Sequence, residues 1–413
     1  MKTVNKNISY QLVTQLMLFG IPLLTFPYLT RVLGVESYGT LVFYTALLGY
    51  VLLICQFGFN LSATQFISKN REFKTLISRK YFAVIVIQMT FFLLSLAILF
   101  LLLSIIKIDT KEIYLCLYLS IGIFGQIFTP IWLFQGVELL KNVTIFLFIG
   151  RLITIPVIFV LIKEPDDIYL VAVIQGLGVL VSCVLSNIFL MKNKVVKYTR
   201  ISFYDLKTTL YESWELFIVT ASSNLYNNTI PVILGITSGA QAVAYFTVAR
   251  TIKTVITKMF NAIFQSIYPR IVVILKDSKS KASEFIIKYL KLSATIAFVT
   301  CVTIALFSKK IILIMAGSDY LEASSILSLL TFAIFMSVIN NFFGVQTLIP
   351  LGYKRVLMKI VLIGGLVSVI TLVPLTISFG AIGAAITVCI AELLIFVLLV
   401  KSHLQKNLKI IFR

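Results

Sequence analysis

The sequence predicts an all-α polytopic membrane protein, with about twelve transmembrane helices in two pseudo-symmetric six-helix lobes, residues 1–200 and 201–413, around a central cavity. Three observations carry that expectation. Unbroken apolar runs of about 20 residues, the length that crosses the hydrocarbon core of a bilayer, recur along the chain. Lys and Arg crowd alternate loops. Short landmarks in one half return six helices later.

Composition sets the class. Of 413 residues, 59% are hydrophobic and 13% charged, with a mean hydropathy of +1.02, against about 45–50% apolar and about 25% charged in soluble domains. A soluble chain with this ratio would expose large apolar patches, so a soluble enzyme, a disordered chain and a solenoid are excluded. An outer-membrane barrel is disfavoured because its strands alternate polar and apolar residues. The net charge of +20 would suggest nucleic acid on a soluble protein. On a membrane chain it is topogenic, since basic residues collect on cytoplasmic loops, and no nucleic-acid partner is expected. Cys55, Cys116, Cys183, Cys301 and Cys389 lie far apart in apolar stretches without a CxxC pair, which reads as small buried side chains. The only histidine, His403, lies in the basic tail. No metal site, cofactor or histidine-based triad is expected from such parts.

Cutting at polar loops gives candidate spans at 9–30, 38–62, 81–106, 113–134, 143–162, 168–191, 213–236, 242–270, 288–315, 324–350, 356–377 and 381–400. The first lacks a small-residue cleavage site and contains Pro22 and Pro27, so it reads as a span rather than a signal peptide. Taking the span ends as soft by several residues, and with both termini in the cytoplasm, 26 of the 36 basic residues fall on that side, six on the other and four well inside spans. Eight of the sixteen acids lie outside. A miscounted helix would invert every later loop and destroy this bias. The loops are short, so no extramembrane domain is expected.

The repeat is faint. Ile149-Gly150-Arg151-Leu152-Ile153-Thr154 in the fifth span returns as Ile363-Gly364-Gly365-Leu366-Val367-Ser368 in the eleventh, and Leu33-Gly34-Val35 after the first returns as Leu234-Gly235-Ile236 after the seventh. Both link helix n to helix n + 6. Because six is even, the lobes share one orientation, a parallel repeat of the kind at whose interface carriers bind substrate.

Catalytic constellations are missing. No GxxxxGK[ST] loop occurs, so the chain encodes no ATP-driven pump. Gly176-Leu177-Gly178 lacks a third glycine and reads as helix packing; Asp166-Asp167 reads as a solvated turn. What remains is a set of intramembrane cations: Arg151 in span five and Arg250, Lys253 and Lys258 in span eight. At 100° per residue, the last three fit an arc of about 140°. Each charge costs about 2.5–3.5 kcal/mol at the centre of an inserting helix, so four cost on the order of 10–14 kcal/mol. Glu392 is the clear mid-membrane carboxylate and Glu215 lies near the start of span seven. Two readings stay open. The cations either snorkel or pair with acids, or they line a water-filled cavity for an anionic substrate. Thr220, Asn224 and Asn228 share a helical face of span seven, Gln56 and Asn60 share one in span two, and Asn340 adds to span ten; interhelical hydrogen bonding explains such residues as well as a cavity does. Pro22, Pro27 and Pro231 are expected to break spans one and seven as hinges.

Several stretches together resemble the bacterial Wzx-type O-antigen and polysaccharide flippases. They are Pro22…Pro27-Tyr28-Leu29-Thr30-Arg31-Val32-Leu33-Gly34…Tyr38-Gly39, Gly58-Phe59-Asn60-Leu61-Ser62-Ala63-Thr64, Trp132-Leu133-Phe134-Gln135-Gly136-Val137-Glu138 and Gly317…Tyr320…Ala323. The resemblance runs through both halves. It implies a member of the multidrug/oligosaccharidyl-lipid/polysaccharide exporter superfamily that flips undecaprenyl-pyrophosphate-linked oligosaccharide repeat units across the bacterial cytoplasmic membrane, with membrane lipid around it and the polysaccharide polymerase and chain-length machinery as partners. On that reading Arg151, Arg250, Lys253, Lys258 and Arg31 hold the pyrophosphate. Asn, Gln and Tyr meet the sugars, and Glu392 or Glu215 couples an ion. The rivals are a multidrug exporter of the same superfamily, which would want cavity acids for cationic drugs, and a membrane glycosyl polymerase or ligase, which would want a large external loop.

Overall fold

The computed structural model describes residues 2–405, with side chains for 24–218, 220–221 and 228–405. Pro22 and Asn224 lie outside the described side chains. Among the described residues there is no strand, and nine helices are long and apolar enough to cross a membrane. Three of them contain one glycine with non-helical dihedrals: Gly34 in Lys2–Gln56, Gly239 in Phe203–Asp277 and Gly380 in Lys354–Gln405. Each is thus two segments joined at a break, and nine helices become the expected twelve spans. The first and second spans are 2–33 and 35–56. The third to sixth are Lys74–Ile105, Thr110–Ile127, Leu140–Leu161 and Ile168–Lys192. The seventh lies in 203–238, whose polar first turns 203–212 precede the apolar stretch, the eighth is 240–277, the ninth is Lys279–Leu306 and the tenth Ala323–Phe343, which a π-helical turn Gly344–Leu348 extends. The last two are 354–379 and 381–405.

Gly34 (φ 70°, ψ 179°) and Gly239 (φ 82°, ψ 176°) adopt nearly the same backbone conformation, one that only glycine reaches without strain. On the expected repeat, this pairs Gly34 with Gly239 and not with Gly235, the match the sequence suggested. Gly235 stays helical, four residues before Gly239. The hinges expected at Pro27 and Pro231 are corrected for the same reason. Helix continues through both prolines and breaks seven or eight residues later. Proline's fixed φ is compatible with helix and removes one hydrogen bond, whereas positive φ ends helical geometry outright. The shared face of Gln56 and Asn60 fails as well. The helix ends at Gln56; Phe57 (φ 37°) and Gly58 (φ 74°) are left-handed, and Asn60 belongs to a separate helix, Phe59–Lys69.

The chain divides into two compact units, residues 1–228 and 229–413. In the first, the sixth span is clamped by small residues on two sides. Gly176 meets Gly122 and Ile121 of the fourth span at 3.1–3.2 Å from an added Cβ, and Gly178 meets Gly150 and Thr154 of the fifth. Such contacts let backbones approach closely where lipid supplies no hydrophobic drive. The Ser182 hydroxyl donates across this seam to the Phe146 carbonyl at 3.0 Å. In the second unit, a Cβ on Gly364 of the eleventh span would strike the Ile395 side chain of the twelfth. Outward faces are apolar: Leu93, Leu94, Ile98, Leu101 and Leu102 of the third span are all exposed, as a lipid-facing stripe requires.

The resembling stretches have a packing role. Helix Phe59–Lys69 docks on the short helix Ile131–Gly136 through the Thr64 hydroxyl, which donates to the Trp132 carbonyl at 3.1 Å. A Cβ on Gly136 would strike Ile67, and Trp132 and Phe134 are fully buried there. Tyr28 donates to the carbonyl of Ile162, tying the first span to the end of the fifth. Tyr320 is buried and meets the ring of Tyr245 edge-on at 6.2 Å.

Candidate functional site

The second unit gathers four of the residues singled out by sequence. Asn340 of the tenth span is buried, and its Nδ2 donates to Oε2 of Glu392 in the twelfth at 2.8 Å and to the Glu392 carbonyl at 3.0 Å. Lys253 of the eighth span interacts electrostatically with Glu392 and with Arg250, and the Lys253–Glu392 separation exceeds ion-pair contact. The Asn340 Oδ1 is buried without a hydrogen-bond partner among the described residues. The arrangement is a carboxylate oriented by a carboxamide and influenced by one cation, Lys253, which in turn neighbours Arg250, on three different spans. Helical spacing puts Arg250 and Lys253 within one turn of each other, and the uninterrupted helix 240–277 holds that register. Next to Asn340, Asn341 accepts from Gln346 Nε2 at 3.1 Å, where the π-helical turn begins; such turns recur at functional sites.

The remaining candidates fall in the first unit. Arg151 is half-buried in the middle of the fifth span, beside the Gly150 seam, and its carbonyl accepts from the Thr154 hydroxyl at 2.8 Å. Arg31 and Glu215 are exposed. Thr220 donates its hydroxyl to the Leu216 and Phe217 carbonyls. Asn228 packs its side chain on Gly49 of the second span, where an added Cβ would come within 2.6 Å of Nδ2. Asn60 is exposed and Gln56 half-buried.

Sequence reasoning missed the first unit's own charge network. Lys80, 5% exposed, donates to Glu212 Oε2 at 2.6 Å and lies 4.7 Å from the centre of the Phe66 ring. Arg79 faces Asp205 at 3.7 Å. The Ser62 and Ser213 hydroxyls are 2.7 Å apart, and Phe57 stacks on Phe217. These contacts bind the beginning of the seventh span to the third span, to the Phe57-Gly58 break and to the helix Phe59–Lys69. Arg71 donates from Nε to the Gly136 carbonyl and from Nη1 to Glu138, at 2.7 and 2.6 Å. The Ser202 backbone N–H and hydroxyl donate to Asp205, and together with Arg79 they hold its carboxyl below the usual range. Lys80 sits directly before an apolar run and Glu212 directly before another; those positions were the available signal. Tyr44 of the second span donates to Glu112 Oε2 at the start of the fourth, at 2.6 Å.

Comparison with known proteins agrees with this architecture. Residues 4–275 match the family model described as polysaccharide biosynthesis protein. A relative from Escherichia coli (strain K12), named "Putative O-antigen transporter", is 30% identical over 95% of both chains. A relative of the same name from Shigella dysenteriae is 26% identical over 92% of this chain and 95% of its own. Among solved structures, the lipid II flippase MurJ in an inward closed conformation superposes with a TM-score of 0.76 at 15% identity, covering 98% of this chain and 90% of that one. An inward-facing multidrug resistance MATE family transporter of the MOP superfamily superposes with a TM-score of 0.63 at 14% identity, covering 98% of both. Both show the all-helical membrane fold.

Proposed function

From a chain that belongs to the polysaccharide biosynthesis protein family, and is a multi-pass membrane transport protein rather than an enzyme, we propose a flippase for lipid-linked polysaccharide precursors. The cargo is an undecaprenyl-pyrophosphate-linked oligosaccharide repeat unit, carried by alternating access across the bacterial cytoplasmic membrane, with both termini inside. A polymerase and its chain-length machinery consume the product.

One observation supports this reading above the others. Lys253 is an intramembrane cation kept near a carboxylate but outside contact distance, while Asn340 satisfies that carboxylate. A purely structural cation would close on its acid, because a charge left in a dry interior is costly. A cation held back retains donors for an incoming anion. A pyrophosphate brings at least two negative charges, and Arg250 and Lys253 on one helix turn meet them by charge-assisted hydrogen bonds. The sugars follow through polar surroundings while the polyprenyl tail stays in lipid. With no phosphate-binding loop in the sequence, the drive is an ion gradient, the membrane potential or removal of product outside, and Glu392 is the candidate coupling carboxylate.

Deleting the gene should make lipid-linked oligosaccharide accumulate on the cytoplasmic leaflet, and restoring it should clear the pool. Normal surface polysaccharide without accumulation would defeat the proposal. In proteoliposomes, transport should proceed without ATP and respond to an imposed gradient; a strict ATP requirement with only this protein present would count against a secondary carrier.

A further inference from the structure

A second polar feature of the second unit takes no part in the charge cluster. Where the helix breaks at Gly239 and Gly380 come together beside the start of the tenth span, they leave an open cavity of about 510 Å³. That is within the usual range for small-molecule sites, about 300–1,000 Å³. The Ser238 hydroxyl donates to the Thr376 carbonyl at 3.0 Å and staples one break to the other. Gln241, Tyr245, Glu322, Ser325 and Phe379 line the space with Ser238.

The lining chemistry is selective. No Lys or Arg lines the cavity, and Glu322 with the nearby Asp319 makes its field negative. A phosphate or other anion is therefore repelled. The groups on offer are a carboxylate, a carboxamide, the Tyr245 hydroxyl and an aromatic ring, Phe379, that is 58% exposed, while the Ser238 and Ser325 hydroxyls donate to the Thr376 and Glu322 carbonyls and keep only their oxygens as acceptors. A carboxylate accepts two hydrogen bonds side by side, and a carboxamide donates and accepts at once. Both match adjacent hydroxyls on a ring, while an aromatic face covers the ring's apolar C–H side. Gln241 and Tyr245 are also one helical turn apart on the helix that carries Lys253. The eight residues from Tyr245 to Lys253 span about 12 Å at 1.5 Å per residue.

We infer that this cavity is a saccharide-binding subsite, taking uncharged sugar rings of the cargo while the cations of the same helix take its pyrophosphate. The inference rests on the flippase reading and assigns its sugar end a place.

The test uses the purified full chain in lipid nanodiscs and two probes read separately. Saturation-transfer NMR with a panel of hexoses, 6-deoxyhexoses and N-acetylhexosamines at millimolar concentration reads the cavity; titration with inorganic pyrophosphate reads the cations. At least one sugar should bind, and Gln241→Ala and Phe379→Ala should each weaken it at least tenfold without changing pyrophosphate affinity. Both side chains are exposed, and a Ser325→Trp variant, which fills the cavity, gives an independent block. Lys253→Gln should do the reverse. Silence from the whole panel, sugar binding indifferent to all three cavity variants, or binding of tetramethylammonium that Glu322→Gln abolishes while no sugar binds, would each overturn the subsite. Pyrophosphate binding that persists in those cases leaves the flippase reading standing. Loss of pyrophosphate binding with sugar binding intact would strike that reading instead.

Discussion

The two units handle charge in opposite ways. In the first, Arg71 meets Glu138, Arg79 meets Asp205 and Lys80 meets Glu212 within ion-pair distance, all near helix ends. In the second, Lys253 and Glu392 sit inside spans and influence each other from beyond contact, while Asn340 occupies the carboxylate. A closed pair has spent its electrostatic potential on the fold, and breaking it strands a partner. An open pair has potential left for something that arrives. On the proposed function, the contrast separates scaffold charges from working charges within one chain, although both kinds look alike in composition.

Four experiments press on that contrast. Lys253→Gln should lower polysaccharide export most, by about ten- to hundredfold if one charge-assisted contact of about 1.5–3 kcal/mol is lost. Membrane abundance should hold, and a Lys253→Gln/Glu392→Gln double variant should not restore export. Lost abundance rescued by the double variant would move the pair into the scaffold. Glu212→Gln should do the opposite. It leaves the buried Lys80 without its counter-charge and should reduce stability in detergent melts by about 1–3 kcal/mol, below the range for a fully buried pair because Glu212 is half-exposed. Export per folded molecule should stay near normal, and Lys80→Met/Glu212→Met should regain much of the stability. Arg71→Lys keeps the charge but gives up the planar fork that serves both Gly136 and Glu138; with both side chains exposed, about 0.5–1 kcal/mol is expected. The smallest effect belongs to Asp205. Its carboxyl is held below the usual range in the folded chain, so its contribution is complete above the ordinary carboxylate pKa and fades as pH falls through the lowered value. Melting curves of wild type and Asp205→Asn should therefore differ at neutral pH and converge in acid.

Much of this could be read from residues in order, and the exceptions have physical causes. Span number followed from apolar runs and from the side on which Lys and Arg fall, because both are set locally by the bilayer. The Gly176-Leu177-Gly178 run was legible as a seam, since adjacent small residues on a span have few other uses. Gly239 was not distinguishable from Gly235, because what selects a positive φ is the turn in space, not the flanking sequence. Gln56 and Asn60 kept a helical spacing across Phe57-Gly58, where the helix stops; the intervening glycine was the warning. Lys80 read as one more topogenic charge because its partner lies 132 residues away. Glu392 and Asn340 were each visible as costly intramembrane polar groups, but only the packing of tenth on twelfth span joins them.

The seams around the sixth span bear on how the first unit can move. Gly176 locks against the fourth span and Gly178 against the fifth, with the Ser182 hydroxyl pinned to the Phe146 carbonyl. A helix notched on two sides cannot slide along either neighbour without first lifting away from both. Shear among these three spans is therefore expensive, and they travel as a single plank. Displacement within the unit is then left to its other segments, among them the helix Phe59–Lys69, which is set off from the end of the second span by the break at Phe57-Gly58.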